Sequence, residues 1–343
     1  MKRIVITGAN GLIGSHVAEY FHARGHRPLC LVRDASRAGF LHVLGLEVWE
    51  ADVTQPAQLQ AAFTGADTVI HTAGKVGEWG GREDFHRVNV DGTVNVLQTA
   101  IASAVDLVII TGSNSCYGEE DSREIKNEES PLQSHYRYFL HRILPSGLNH
   151  YRDSKALATV LAREIAERAA ANLTIIDPVW VYGEREFRSG FLEYLRTVRS
   201  GIPFFPGSEK NRFHTIYARD LAALYYRVAS VRPRGVHRFM ACDAEAENMR
   251  VLLGMFCDAA GLRLPRRLPK SFAYPPALLL EAVAMLFRVR SAPLLTRATV
   301  NIFYDNVECS GEKARHVLGF VPTTPREESI RRTINWYRER HLL

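Results

Sequence analysis

The sequence predicts a doubly wound α/β fold: a parallel sheet with helices on both faces, carrying a smaller, mainly helical C-terminal lobe. Three observations carry this. KRIVIT runs straight into a glycine-rich turn and a helical pattern at the start of the chain. Short β-branched runs then alternate with helically spaced ones to about residue 180, which is the order of repeated β-α-β units with strands buried on both faces. After that the rhythm breaks, with proline and glycine punctuating GIPFFPG at 201–207, and the rest is mainly helical.

Taken in order, KRIVIT is a strand and residues 12–24 a helix, with Ile13, Val17, Tyr20 and Phe21 on one face. PLCLVR and LEVWEA follow as strands, then QPAQLQAAF as a helix begun near Thr54 and Pro56. DTVIHTA is a strand, 83–103 one long helix, and DLVIITGS the next strand. The helix that carries Tyr151 and Lys155 runs to about Ala171, and LTIIDPVWV is a further strand. Strand-helix order returns in FHTIYARDLAALYYRVA and VHRFMA, and PREESIRRTINWYRERH closes the chain as an amphipathic helix. The expected division is residues 1–179 with 211–240 for the sheet domain, and 180–210 with 241–343 for the lobe over the C-terminal edges of the strands, where open α/β sheets bind ligands.

Composition narrows the functional classes. The 343 residues are 46% apolar and 23% charged, ordinary for a globular protein, and the formal charge is +6. Arginines are dispersed and the tightest basic group, RLPRRLPK at 263–270, is short, so nucleic-acid binding is not expected. Five scattered cysteines without C-x-x-C spacing read as reduced thiols, and no metal site is expected. Reduced thiols imply a cytoplasmic location, and the opening apolar run is too short for a signal-peptide core. SFAYPPALLLEAVAMLFRVR at 271–290 is apolar but interrupted by Pro275, Pro276 and Glu281. It reads as a helix that packs in the core, lines an apolar pocket or rests on a membrane surface, and not as a span.

TGANGLIG at 7–14 sits between the first strand and first helix, with Gly8, Gly11 and Gly14 spaced G-x-x-G-x-x-G. Glycine permits the tight turn and the close approach of a pyrophosphate, which then meets the N–H groups of Gly11, Leu12, Ile13 and Gly14 at the helix start. The second strand ends in Val32, Arg33 and Asp34. Arginine there would pair with a 2′-phosphate and an acid with a ribose diol, so NADP(H) is favoured by Arg33 while NAD(H) stays open through Asp34. Asp52 and Val53 are expected to flank the adenine, and Thr72, Ala73 and Gly74 let the backbone approach the cofactor.

The fifth strand ends in TGSNSCYG at 111–118, and Tyr151 and Lys155 lie one turn apart on the helix after the next loop. Moving a hydride to or from a carbinol carbon needs a proton to travel at its oxygen. Tyrosine with its usual pKa near 10 is a poor base, but a lysine ammonium beside it favours the phenolate. Ser113 would donate a hydrogen bond to the same oxygen. Ser115 and Trp180 are the candidates for substrate contact.

Together these segments resemble the extended short-chain dehydrogenase/reductases of the epimerase/dehydratase superfamily: Thr7-Gly8-x-x-Gly11-x-x-Gly14, Ser113 with Tyr117-Gly118, Tyr151-x-x-Ser154-Lys155 and Pro178-x-x-x-Tyr182-Gly183. The resemblance covers nearly the whole chain and implies a Rossmann domain and catalytic roles for Ser113, Tyr151 and Lys155. It also implies that Lys155 bonds the nicotinamide ribose, that Pro178 adjoins the nicotinamide, and that the protein forms a homodimer. Nucleotide-sugar members commonly carry asparagine where this chain has Trp180 and arginine where it has Phe213, with Arg212 one residue early. HTAGKVGEWG, SAPLLTRATV and SGEKARHVLGFVPTTPREES look instead like the 3β-hydroxysteroid dehydrogenase branch, which includes sterol-4-carboxylate dehydrogenases and 2-alkyl-3-ketoalkanoate reductases. That branch implies a hydrophobic, steroid- or sterol-like alcohol or ketone. A nucleotide-sugar epimerase or dehydratase with retained NAD is the alternative, and a non-catalytic sensor of NADP(H) a third reading. The long 119–150 loop, with His135, Tyr136, Tyr138, Phe139, His141 and His150, is expected to cap the substrate site.

Overall fold

The computed structural model describes residues 3–118, 124–144, 147–187, 190–289 and 291–343. Strands β1 (Ile4–Thr7), β2 (Leu29–Val32), β3 (Val48–Glu50), β4 (Thr68–His71), β5 (Leu107–Thr111) and β6 (Leu173–Pro178) belong to one seven-stranded sheet. Two short parallel pairs stand outside it, β7 (Trp180–Tyr182) with β9 (Thr215–Tyr217) and β8 (Phe204–Pro206) with β11 (Arg266–Leu268), while β10 (Val236–Ala241) is the seventh strand. The order is β10-β6-β5-β4-β1-β2-β3, and every pairing is parallel. Strands β1, β2, β4, β5 and β6 are buried along their whole length, which explains why they read as continuous apolar runs rather than alternating ones.

Helices α1 (Leu12–His22), α2 (Gly39–Val43), α3 (Pro56–Phe63), α4 (Arg82–Phe85), α5 (Gly92–Ala102) and α6 (His150–Arg168) link these strands. The rest follow as α7 (Phe191–Arg199), α8 (Ala218–Val231), α9 (Met249–Ala260), α10 (Lys270–Leu286), α11 (Arg297–Tyr304), α12 (Glu312–Leu318) and α13 (Arg326–Glu339). Val17, Phe21, Leu221 and Tyr225 of α1 and α8 cover one face of the sheet. Leu59, Phe63, Val96, Leu97 and Ala162 of α3, α5 and α6 cover the other. The chain winds outward in both directions from the junction of β1 and β4, the point at which ligands enter such sheets.

Three details depart from the sequence pattern. The stretch expected as one helix over 83–103 contains a π turn at His86–Asp91 between α4 and α5. LTIIDPVWV is not one strand: after Pro178, which has no N–H to donate, the chain leaves the sheet and Trp180–Tyr182 pairs with β9. Residues expected in the lobe return to the sheet domain, since Ala314, Leu318 and Phe320 share a core with β10 and α8.

The lobe has its own aromatic core, in which Phe191 stacks on Phe256 with ring centroids 3.9 Å apart, under Tyr182, Phe213 and Tyr337. Beside it a fully buried ion pair joins α10 to α11: Arg297 Nη2 lies 2.7 Å from Glu281 Oε2. The same guanidinium donates to the carbonyls of Phe139 and Leu144, fastening the 139–144 turn to these helices. A buried charge left without its partner is costly. Glu281→Ala is therefore expected to lower the unfolding free energy by roughly 3–5 kcal/mol in chemical denaturation, and adding Arg297→Met should recover much of the loss.

Candidate active site

The glycine loop and the end of β4 are in direct backbone contact. Gly8 has φ +67°, and a Cβ placed on it would stand 2.6 Å from the backbone N and Cα of Ala73. A Cβ on Gly14 would collide with the Gly8 carbonyl and lie 2.6 Å from Thr72 Oγ1, which itself donates to the Thr7 carbonyl at 2.7 Å. Gly11 is the N-cap of α1 and carries no side chain to satisfy its first N–H groups. Leu12, Ile13 and Gly14 thus present their amides at the positive end of the helix. A cradle that any side chain would fill, lined by amides, fits a dinucleotide pyrophosphate.

At the end of β2, Arg33 is exposed. Asp34 is occupied locally, its carboxylate accepting the Ser36 amide at 3.0 Å and the Ser36 hydroxyl. The Asp52 carboxylate likewise accepts the Thr54 amide at 2.8 Å. Val53 is buried, and its methyl would touch a Cβ on Gly92 at 2.8 Å. The turn that ends β3 is therefore seated on the start of α5.

Lys155 is buried, and its Nζ donates to the Thr111 carbonyl at 2.7 Å, beneath the end of β5. A Cβ on Gly74 would lie 3.9 Å from that nitrogen, so the ammonium stands between the ends of β4 and β5. Burial holds its pKa below the ordinary lysine value. His71 faces the same charge. Burial first and Lys155 second bring its pKa to about 3, so the ring is neutral. Thr93 Oγ1 donates to the Asn89 carbonyl at 2.6 Å and so accepts from His71 Nε2 at 3.2 Å, which leaves Nδ1 to accept from Thr7 Oγ1 at 2.7 Å.

Ser113 is buried one residue beyond Gly112. Its Oγ accepts the Ser115 amide at 3.2 Å and lies 2.8 Å from Ser115 Oγ, and the turn Asn114–Tyr117 that it caps packs against α6. The Ser113 amide donates to Asp177 Oδ1 at 3.1 Å. Tyr151 is half-buried in the first turn of α6, edge-on to Phe85 at 6.3 Å. Ser113 and Ser115 thus lie on a turn packed against α6, the helix that carries Tyr151 and Lys155, and Lys155 stands beside Gly74 at the C-terminal edge of the sheet. Trp180 lies in the lobe's aromatic core, 6.2 Å from Phe191 and 5.9 Å from Phe213, just past Pro178.

Asn89 is a further site residue that the sequence reading did not single out. From the π turn, its Oδ1 accepts the Lys75 amide at 2.7 Å. Its Nδ2 lies 3.0 Å from the Lys75 carbonyl and 2.9 Å from Ser154 Oγ. Ser154 Oγ in turn donates to the Tyr151 carbonyl at 2.7 Å. One amide therefore ties the loop after β4 to the turn bearing Tyr151. An asparagine set between Val88 and Val90 in a helix was the available signal. Of the 119–150 loop, Lys126 bridges to Cys309 and Glu128 accepts the Met240 amide, while residues 134–135 meet the start of α6. Ser134 and His135 bond Asp153 at 2.8 and 2.9 Å, and His150 meets the Gly80 carbonyl at 3.1 Å.

A model of the NAD dependent epimerase/dehydratase family matches residues 4–239. The chain is 26% identical over 345 residues to 2-alkyl-3-oxoalkanoate reductase of Shewanella oneidensis, covering 95% of this chain and 84% of that protein. It is 27% identical over 352 residues to 3 beta-hydroxysteroid dehydrogenase type 7 of Rattus norvegicus, covering 97% and 94%. Among solved structures, gox2253 matches with TM-score 0.79 at 23% identity over 100% of both chains. MoeE5 in complex with UDP-glucose and NAD matches with TM-score 0.76 at 20% identity over 99% of both. These two likenesses show a shared fold.

The crowding around Gly14 gives a direct test of the cradle. Gly14→Ala should weaken dinucleotide binding by roughly 10- to 100-fold, the equivalent of overpacking by one methyl, as read by fluorescence titration.

Proposed function

The chain belongs to the NAD dependent epimerase/dehydratase family and is an enzyme of that nicotinamide chemistry; we propose that it interconverts a secondary alcohol and a ketone on a hydrophobic, steroid- or sterol-like substrate, with NADP(H) preferred. The observation that carries the substrate class is the aromatic filling of the lobe. Trp180 and Phe213 pack on each other at the two positions where nucleotide-sugar members commonly place asparagine and arginine. Arg212 is turned away to Glu308, 2.8 Å from its carboxylate. Those two side chains offer a diphosphate little beyond one indole N–H. The likeness to a 2-alkyl-3-oxoalkanoate reductase and to a 3 beta-hydroxysteroid dehydrogenase supports the same class.

Bound nicotinamide would supply or accept the hydride, held by the Gly8–Gly14 cradle, by Thr72 to Gly74 and by Lys155. In the reducing direction the Ser113 hydroxyl donates to the ketone oxygen, and Tyr151 passes its phenolic proton to that oxygen as the carbon is reduced. The buried Lys155 ammonium makes the resulting phenolate less costly, an effect that a low-dielectric surrounding strengthens. Solvent then returns the proton to Tyr151. Oxidation of the alcohol is the reverse path, with Tyr151 as base.

Cofactor choice is assigned to Arg33. An exposed guanidinium at the end of β2 suits a 2′-phosphate, whereas the nearest acid, Asp34, is held by Ser36.

Tyr151→Phe is expected to lower kcat by roughly 10²- to 10⁴-fold in a nicotinamide absorbance assay with a 3β-hydroxysteroid, while leaving dinucleotide affinity near its starting value. Conversion of a UDP-sugar with no steroid turnover would replace this reading with the epimerase one. Arg33→Ala should reduce the preference for NADP over NAD by about tenfold or more, and an unchanged ratio would remove the assignment.

A further inference from the structure

Helix α10 is amphipathic in an inverted sense. The side chains it buries are small or charged, Ala273, Ala277, Glu281 and Ala284, whereas its large apolar ones face outward. Phe272 is 69% exposed, Leu279 65%, Leu286 77% and Phe287 71%, with Leu280, Val283 and Val289 exposed beside them. The 139–144 turn, fastened to α10 and α11 through Arg297, adds Phe139, Leu140 and Ile143, the last 78% exposed. Phe139 meets Tyr274 of α10 edge-on at 6.3 Å, so the turn adjoins α10. Clusters of large exposed apolar side chains mark interaction surfaces, whereas single ones need no explanation.

Within these two segments the charges are almost all of one sign, the nearby acids Glu78 and Asp305 being bonded to Thr296 and to Lys270. No acidic residue occurs from Ser130 to Arg152, and Glu281 is the one acid from Arg263 to Tyr304. Glu281 is buried against Arg297, while Arg137, Arg142, Arg266 and Arg288 are exposed. Among the described residues no helix is long and apolar enough to cross a membrane.

We infer that α10 and the 139–144 turn dock the protein on an anionic phospholipid bilayer, the apolar side chains entering the interface and the arginines meeting the headgroups. Large apolar residues on one face with a cationic fringe are the form of an interfacial helix. The placement also suits the site. Trp79 Nε1 donates to the Val289 carbonyl at 2.9 Å, and the same loop meets His150, the neighbour of Tyr151, through Gly80. The docked face therefore borders the cover of the active site, where a membrane-dissolved substrate would enter. That last point rests on the proposed substrate class; the docking itself does not.

The test is pelleting of the full chain with vesicles of phosphatidylcholine alone or mixed with phosphatidylglycerol, beside the double variant Leu286→Glu, Phe287→Glu. Both substituted positions are exposed, and an unchanged unfolding midpoint verifies the variant's fold. Binding to the mixed vesicles is expected, weakening as salt is raised and falling at least about tenfold in the variant. Failure of the unmodified chain to pellet with the mixed vesicles, or equal binding by the variant, would overturn the inference. So would a dimer in sedimentation velocity that the variant abolishes without any vesicle binding, which would assign the face to a second copy of the chain. No turnover enters this assay, so its failure leaves the oxidoreductase reading untouched, and the converse holds.

Discussion

The geometry of the proposed reacting groups hangs on one buried carboxylate. Asp177, fully buried near the end of β6, accepts from the Ser113 amide at 3.1 Å, from the Tyr117 hydroxyl at 2.9 Å and from Arg238 Nη2 at 2.7 Å. Three strands, β5, β6 and β10, meet at this group. Burying a charge is tolerable only when it is paired and its remaining lone pairs are satisfied, and here both conditions hold. The carboxylate also explains Gly112, because a Cβ there would collide with Asp177 Oδ1. The loop carrying Ser113 is thus held from below.

A second clamp acts from the other side. Asn89 bonds the loop after β4 and, through Ser154, the first turn of α6. A π turn adds one residue to a helical turn, which re-aims the side chain there without ending the helix. Two polar anchors therefore act beside apolar packing in placing Ser113 relative to Tyr151. Apolar packing is non-directional and would tolerate small displacements, whereas proton transfer at one oxygen does not.

Helix α1, which follows the glycine cradle, is also fastened to the lobe. Tyr217 donates to Glu184 at 2.8 Å, and Glu184 lies 3.4 Å from His16 Nε2 in α1. Burial works to raise the Glu184 carboxyl, but its bonds with His16 and Tyr217 hold it down at about 2. The next residue, Arg185, bonds Ser15 at 2.8 Å and Glu19 at 2.6 Å and covers the Phe40 ring at 4.0 Å. Glu186 then accepts from Tyr337 of α13 at 2.6 Å, and burial raises its pKa to about 8. Three consecutive residues thus link the helix that would hold the dinucleotide to the lobe that would hold the substrate, a short path by which occupancy of one could stiffen the other.

By itself the sequence determined the features that rest on local patterning. The strand-turn-helix around Gly8, Gly11 and Gly14, the β-α-β rhythm, and Tyr151 one turn from Lys155 are legible because their signals lie within a few residues of one another. The resemblance to a family added Ser113, 38 residues from Tyr151 in the chain, as a partner of that pair. Tertiary structure alone decided the partners of the buried polar groups. Arg238 and Asp177 stand 61 residues apart, and Arg297 and the Phe139 carbonyl 158. No periodicity links such residues, and a charged side chain in a strand or helix reads the same whether it is solvated or paired inside. The π turn at Asn89 and the departure of Trp180 from the sheet are hidden for the same reason. Each is set by which distant backbone or side-chain group is left to accept or donate a hydrogen bond, and that is settled only when the chain has closed upon itself.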